Sequence, residues 1–160
     1  MVRFYVAAER LRGFGGRLIG SKRKGRSYVS NGGSISGAQA AKLRKAALSN
    51  GGDYHLVSWI CRGNSIIYGT NGEKSSPKFK RTFYDKNSEA AYCCHAEMQV
   101  IDKAQATKND VLYVTRFRKN GQQTMSFPCS ACMKHIERVG IRCLFFTTWD
   151  GTWVKYKVKY

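Results

Sequence analysis

Acidic side chains are scarce in this sequence. Ten Asp and Glu stand against 28 Lys and Arg in 160 residues, a formal net charge of +18. A folded domain this basic repels itself, and the imbalance points to a polyanionic partner whose phosphates give affinity without reading sequence. Long apolar runs are also missing, which excludes a helix that spans a membrane. Residues 1–8 are too short and too polar for a secretory core, so the chain is expected inside the cell, in cytoplasm or nucleus. No internal repeat is visible, which sets aside a solenoid or propeller array. What remains is ordinary for a folded domain: 42% hydrophobic and 12% aromatic residues exclude a disordered chain and can fill one core.

The six cysteines stand at 61, 93, 94, 129, 132 and 143. Without a secretory leader they read as reduced thiols, and Cys129-x-x-Cys132 as metal or redox chemistry. Cys61, Cys93, Cys94 and Cys143 read as small apolar residues.

Residues 1–33 carry eight Lys and Arg and one acid among many Gly and Ser. This is a basic, Gly-rich arm, with one short strand expected at 3–7. Its Lys22-Arg23-Lys24-Gly25-Arg26 cluster suits a nuclear signal or a nucleic-acid contact. Residues 34–160 form the domain. Ser34 or Ser36 can cap a helix to about Ser49, with Ala40, Leu43 and Ala47 on one face. Runs at 55–61 and 65–68 make a hairpin, and a long polar connection follows at 71–92. A helix is expected from His95 to about Ala106, a strand at 111–116, a polar turn at 118–123, and a helix from Ser130 to Val139. Strands at 142–149 and 152–160 then form a hairpin through a two-residue Asp150-Gly151 turn. In the last strand Val154, Tyr156 and Val158 alternate with Lys155, Lys157 and Lys159, one apolar face and one lysine face. The sum is an α/β domain of five strands and about three helices.

Cys129 and Cys132 at i and i+3 put two thiolates on one face of a helix start, where thiol pKa is low. Pro128 suits the opening of that helix. His95 at a second helix start makes three protein ligands. Catalytic zinc keeps a fourth position open, whereas structural zinc fills it. A closed site using Cys93 or Cys94 leaves Glu97 and Pro128 without a role. His135 is a rival ligand, though a mid-helix histidine is more often surface or core. Glu97, two residues after His95, is placed to move a proton.

The order His95-Ala96-Glu97, then Pro128-Cys129-Ser130-Ala131-Cys132, resembles the cytidine deaminase-like superfamily. The resemblance spans about residues 36–160. It implies a three-layer domain with a five-stranded mixed sheet, a Zn²⁺ cofactor held by His95, Cys129 and Cys132, and Glu97 as proton shuttle. It implies hydrolytic deamination, in which water adds at the amine-bearing carbon of cytosine and ammonia leaves. Asn71 matches a sugar-binding Asn of the family, or is a turn residue. The Asp150-Gly151 turn leaves no room for a helix before the last strand. That strand is then antiparallel, as in the hairpin-type branch and unlike the deoxycytidylate branch. Free cytidine deaminases usually carry Cys where this chain has His95.

Three substrate readings stay open: single-stranded DNA or RNA, free cytosine nucleosides or nucleotides such as dCMP, and a zinc nucleic-acid-binding module without catalysis. Adenine remains an alternative base. The polymer reading rests on the charge and on Lys78-Phe79-Lys80-Arg81-Thr82-Phe83-Tyr84, where cations interleave with stacking rings. Candidate substrate contacts are Asn71, Lys80, Arg81, Phe83, Tyr84, Arg116, Arg118 and Phe127.

Overall fold

A computed structural model describes residues 35–50, 54–72 and 95–159. The basic arm, the Lys78-to-Tyr84 run and the Cys93-Cys94 pair lie outside the described residues.

The first helix, α1 (Gly37–Leu48), opens on a reciprocal cap. The Ser36 hydroxyl accepts from Gln39 N–H at 3.2 Å, and Gln39 Oε1 accepts from Ser36 N–H at 2.8 Å. Such a box satisfies two of the four donors a helix start leaves bare, and it settles the cap on Ser36. The remaining elements are β1 (His55–Arg62), β2 (Ser65–Thr70), α2 (Ala96–Ala104), β3 (Val111–Phe117), β4 (Gln123–Thr124), α3 (Ser130–Val139), β5 (Cys143–Thr147) and β6 (Trp153–Lys157).

The strands form one mixed sheet in the order β2-β1-β3-β5-β6, with β4 paired to β3. Only β3 and β5 run parallel, because the chain between them crosses over through α3. The terminal hairpin is antiparallel, as expected. Period-two alternation assigns the two faces. Val57, Trp59, Tyr113 and Phe145 face α1 and cluster with its Leu43 and Ala47. Ile60, Leu112, Val114, Leu144 and Phe146 face α2 and α3 and cluster with Val100, Ile101 and Ile136. Three layers result. Each fully buried Leu or Ile contributes about 1.5–3 kcal/mol. On the α1 face the rings of Trp59, Tyr113 and Phe145 stack across β1, β3 and β5 at 5.4 and 5.2 Å, the cross-strand aromatic pairing that pins register.

Three expectations change. The sheet has a sixth strand: two residues, Gln123 and Thr124, turn back onto Phe117 and Arg116, too short a run to show any alternation. Helix α2 ends at Ala104, two residues early, with Gln105 left-handed. There the Asp110 carboxylate accepts from Thr107 N–H (2.8 Å), Thr107 hydroxyl (3.1 Å) and Arg62 (3.0 Å), and holds the chain in a turn. The last hairpin turns through three residues, Trp149-Asp150-Gly151, between Thr148 and Thr152. A two-residue type I′ turn needs positive φ at both central positions, and here Gly151 alone has it, at +80°. Thr148 N–H donates to Thr152 O at 2.9 Å and Gly151 N–H to Thr148 O at 3.0 Å. The strands are accordingly shorter than expected.

Candidate metal centre

Helices α2 and α3 both begin with a residue that would rather bind than cap. His95 is the N-cap of α2 and Cys129 the N-cap of α3, and neither side chain makes a capping hydrogen bond. Both turn toward each other. His95 Nδ1 lies 3.6 Å from Cys129 Sγ and 3.3 Å from Cys132 Sγ. The three donor atoms lie within 4.8 Å of one another. Cys132 sits one turn into α3 and is buried, and Cys129 is exposed. Pro128 stands one residue before the cap, not at the first helical position. A proline there favours extended backbone at the residue before it, Phe127.

The donor set fits zinc. With bonds of about 2.3 Å to sulfur and 2.0 Å to nitrogen, a tetrahedral ion separates S from N by about 3.5 Å. The two separations, 3.3 and 3.6 Å, bracket that edge. A second observation agrees: Glu97 is buried at 2% exposure, and its Oε2 has no hydrogen-bond partner among the described residues. An ionisable oxygen held dry and unpaired is costly unless the site gives it work.

The electrostatics separate the two thiols. The hydrogen bond from Cys132 pulls the Cys129 thiol down to about 4, with His95 adding to it against the effect of burial. Cys132 is held well above the usual thiol range by that same bond and by burial. The His95 imidazole is raised, first by its hydrogen bond to Cys129. Burial raises Glu97, bringing its carboxyl toward neutrality.

Two supports for this site are not visible as motifs. Gly69 on β2 lets α2 approach. A Cβ there would stand 2.8 Å from Ala96 O and 2.9 Å from Gln99 Cβ. The Gln99 side chain then accepts from Thr70 N–H at 3.1 Å. The second support holds the irregular segment that leads to Cys129. The Ser126 hydroxyl donates to Val114 O (2.8 Å) and accepts from Thr147 N–H (2.8 Å), while the Thr147 hydroxyl donates to Thr124 O (2.6 Å). Buried hydroxyls so paired fix a loop more rigidly than apolar contacts do. A glycine in a strand was the one available signal for the first support. Scattered Ser and Thr gave none for the second.

The other candidate residues divide. Asn71 follows β2; its Oδ1 accepts from Leu56 N–H at 2.8 Å and its Nδ2 donates to Tyr54 O at 2.6 Å, fastening the start of β1. Among the described residues, each end of its carboxamide keeps one further hydrogen-bond position. Arg116, at the end of β3, lays its guanidinium 4.6 Å from the centroid of the Tyr54 ring. Arg118 is exposed in the turn that follows, where its N–H donates to Gln122 O at 2.8 Å. Phe127, in the irregular segment that leads to Cys129, packs edge-on against Phe146 and Tyr156 at 5.0 and 5.4 Å. Lys80, Arg81, Phe83 and Tyr84 lie outside the described residues. His135 is a buried side chain of α3 and is not among the three clustered donors. Cys61 and Cys143 are half-buried. Among the described residues no helix is long and apolar enough to cross a membrane.

Residues 37–148 match the family described as the cytidine and deoxycytidylate deaminase zinc-binding region. Among solved structures, the chain resembles a cytidine deaminase from Burkholderia pseudomallei, at 16% identity and a TM-score of 0.49, over 76% of this chain and 88% of that one. No curated protein matches.

Proposed function

The chain belongs to the cytidine and deoxycytidylate deaminase family, zinc-dependent hydrolases of cytosine compounds, and on that premise we propose that it converts cytosine to uracil in single-stranded DNA or RNA. The observation that carries the substrate is the +18 charge, together with Arg116, Arg118 and Lys119 at the end of β3 from which the chain runs on to Cys129. A free nucleotide offers one phosphate and needs only a few cations. A strand offers a row of them.

His95, Cys129 and Cys132 would hold the zinc. Zinc, when bound, supplies the Lewis acidity that makes water a nucleophile near neutral pH. Glu97 does the proton work. Its buried carboxylate takes one proton as water adds to the amine-bearing carbon and gives it to the ring nitrogen; it then takes the proton of the new hydroxyl, as the carbonyl forms, and gives it to the departing amine. The carbon–nitrogen bond breaks, and ammonia and uracil result. A carboxyl raised by burial suits both directions of this transfer, because a shuttle works best with a pKa near the working pH. In this reading Asn71, just past β2, meets the sugar with its remaining donor and acceptor.

A second reading, a free nucleoside or nucleotide as substrate, is favoured by the family description, which names cytidine and deoxycytidylate. The deciding experiment compares ammonia release from cytidine, dCMP, and single-stranded DNA and RNA. Steep loss of binding with salt is expected for strands. Turnover of the free compounds with strands untouched would overturn the polymer reading.

A further inference from the structure

Two large apolar side chains stay exposed among the described residues, Tyr54 at 57% and Trp149 at 67%. Lone exposed rings are common on protein surfaces and mean little. These two share one end of one sheet.

Tyr54 precedes β1 and shares a face with Leu56, which pairs with Arg116 across β1 and β3. That is the face covered by α2 and α3. Gly69, against which Ala96 rests, pairs with Ser58, and Ser58 pairs with Val114. Arg116 is two residues beyond Val114 on the same face, about 7 Å further along the strand. Arg116 is therefore one pleat repeat, and Tyr54 two, from the row on which the start of α2 is seated. Arg116 takes one face of the ring, and the ring still keeps more than half its surface in water.

Trp149 reaches the same end by another route. It follows Thr147, whose N–H is held by Ser126, three residues before Cys129. Its loop rests on β4, since a Cβ on Gly151 would lie 3.2 Å from Gln123 Cβ. The loop is braced: the Asp150 carboxylate accepts from the Thr148 hydroxyl, from Thr152 N–H (3.2 Å) and from the Thr152 hydroxyl (2.9 Å). A ring on a braced turn loses little freedom when it binds. Across the sheet end the order is Tyr54, Arg116, β4, then the Trp149 loop.

We propose that Tyr54, backed by Arg116, and Trp149 are stacking platforms for bases of a single-stranded nucleic acid on either side of the reacting nucleotide. This rests on the polymer reading and names where the strand lies. Exposed rings next to cations, on a chain of charge +18, suit a ligand that offers flat faces along a polyanionic backbone. Stacking tolerates any base, so the platforms set position along the strand, not sequence.

The test uses the full chain and a labelled oligo(dT), which contains no cytosine to deaminate. Tyr54→Ala and Trp149→Ala are each expected to weaken binding by about tenfold, within the range for loss of one stacked base. Tyr54→Phe and Trp149→Phe should keep wild-type affinity, because the ring survives. The log–log salt slope should not change in any of the four, whereas Arg118→Ala should lower it by about one. Alanine variants that melt like wild type and bind as tightly overturn the platforms and leave the polymer reading standing. A wild type that does not bind the oligomer overturns both. Alanine variants that alter the sedimentation of the chain, with oligomer affinity unchanged, assign the rings to a contact between copies and also overturn the proposal.

Discussion

His95 and Cys129 each open a helix, and each turns its side chain toward the other, at 3.6 Å, without capping its own first turn. Ser, Thr, Asp or Asn at such a position is typically worth about 1 kcal/mol over a residue that cannot cap. The metal centre is thus built from two positions where helix stability was given up. His95→Ser should therefore abolish zinc binding and raise the stability of the metal-free protein by about 1 kcal/mol. Denaturant melts with and without chelator check this. The wild type should lose stability on chelation, and the variant should not respond.

Glu97→Gln keeps the shape of the side chain and removes its proton chemistry. Zinc content by metal analysis should remain at one per chain. The deamination rate should fall by at least about 100-fold, the range for loss of a positioned acid–base group. A variant that loses zinc along with activity would make Glu97 a ligand in its own right.

Gly69→Ala places a methyl 2.8 Å from the carbonyl of Ala96, a backbone atom that cannot step aside alone. Helix α2 must shift and carry His95 and Glu97 with it. Overpacking of this kind costs about 1–3 kcal/mol. Activity should fall more than stability does, which thermal melts and initial rates measured together will show.

The way these parts follow from the chain is uneven. His95, Glu97, Cys129 and Cys132 were legible because their chemistry needs fixed spacings at helix starts. The β1–β2 hairpin was legible from two β-rich runs either side of a turn, and the last strand from alternation, down to the lysine face of Lys155 and Lys157. Gly69 was not, since its meaning depends on a helix nearly thirty residues away. Strand β4 was not, since two residues carry no period. Tyr54 was not legible, since it precedes its strand and meets Arg116 only through the folded sheet.

His135 lies in α3, buried, and its pKa is lowered to about 4, first by burial, then by Arg138, with Asp102 opposing. Its usual value is 6.5. Between these values the unfolded chain holds a proton that the folded one does not, so stability is full above about pH 6.5 and declines as pH falls toward 4. An NMR titration should place the His135 midpoint near pH 4. His135→Gln should flatten the acid limb of the unfolding free energy.

The most direct measurement of the central claim is uracil formation by the zinc-loaded protein, on a cytosine-containing single strand and on dCMP at equal cytosine concentration. Uracil should appear in the strand, faster than from dCMP, and the advantage should shrink as salt rises. Efficient conversion of dCMP with the strand untouched at low salt would contradict the account.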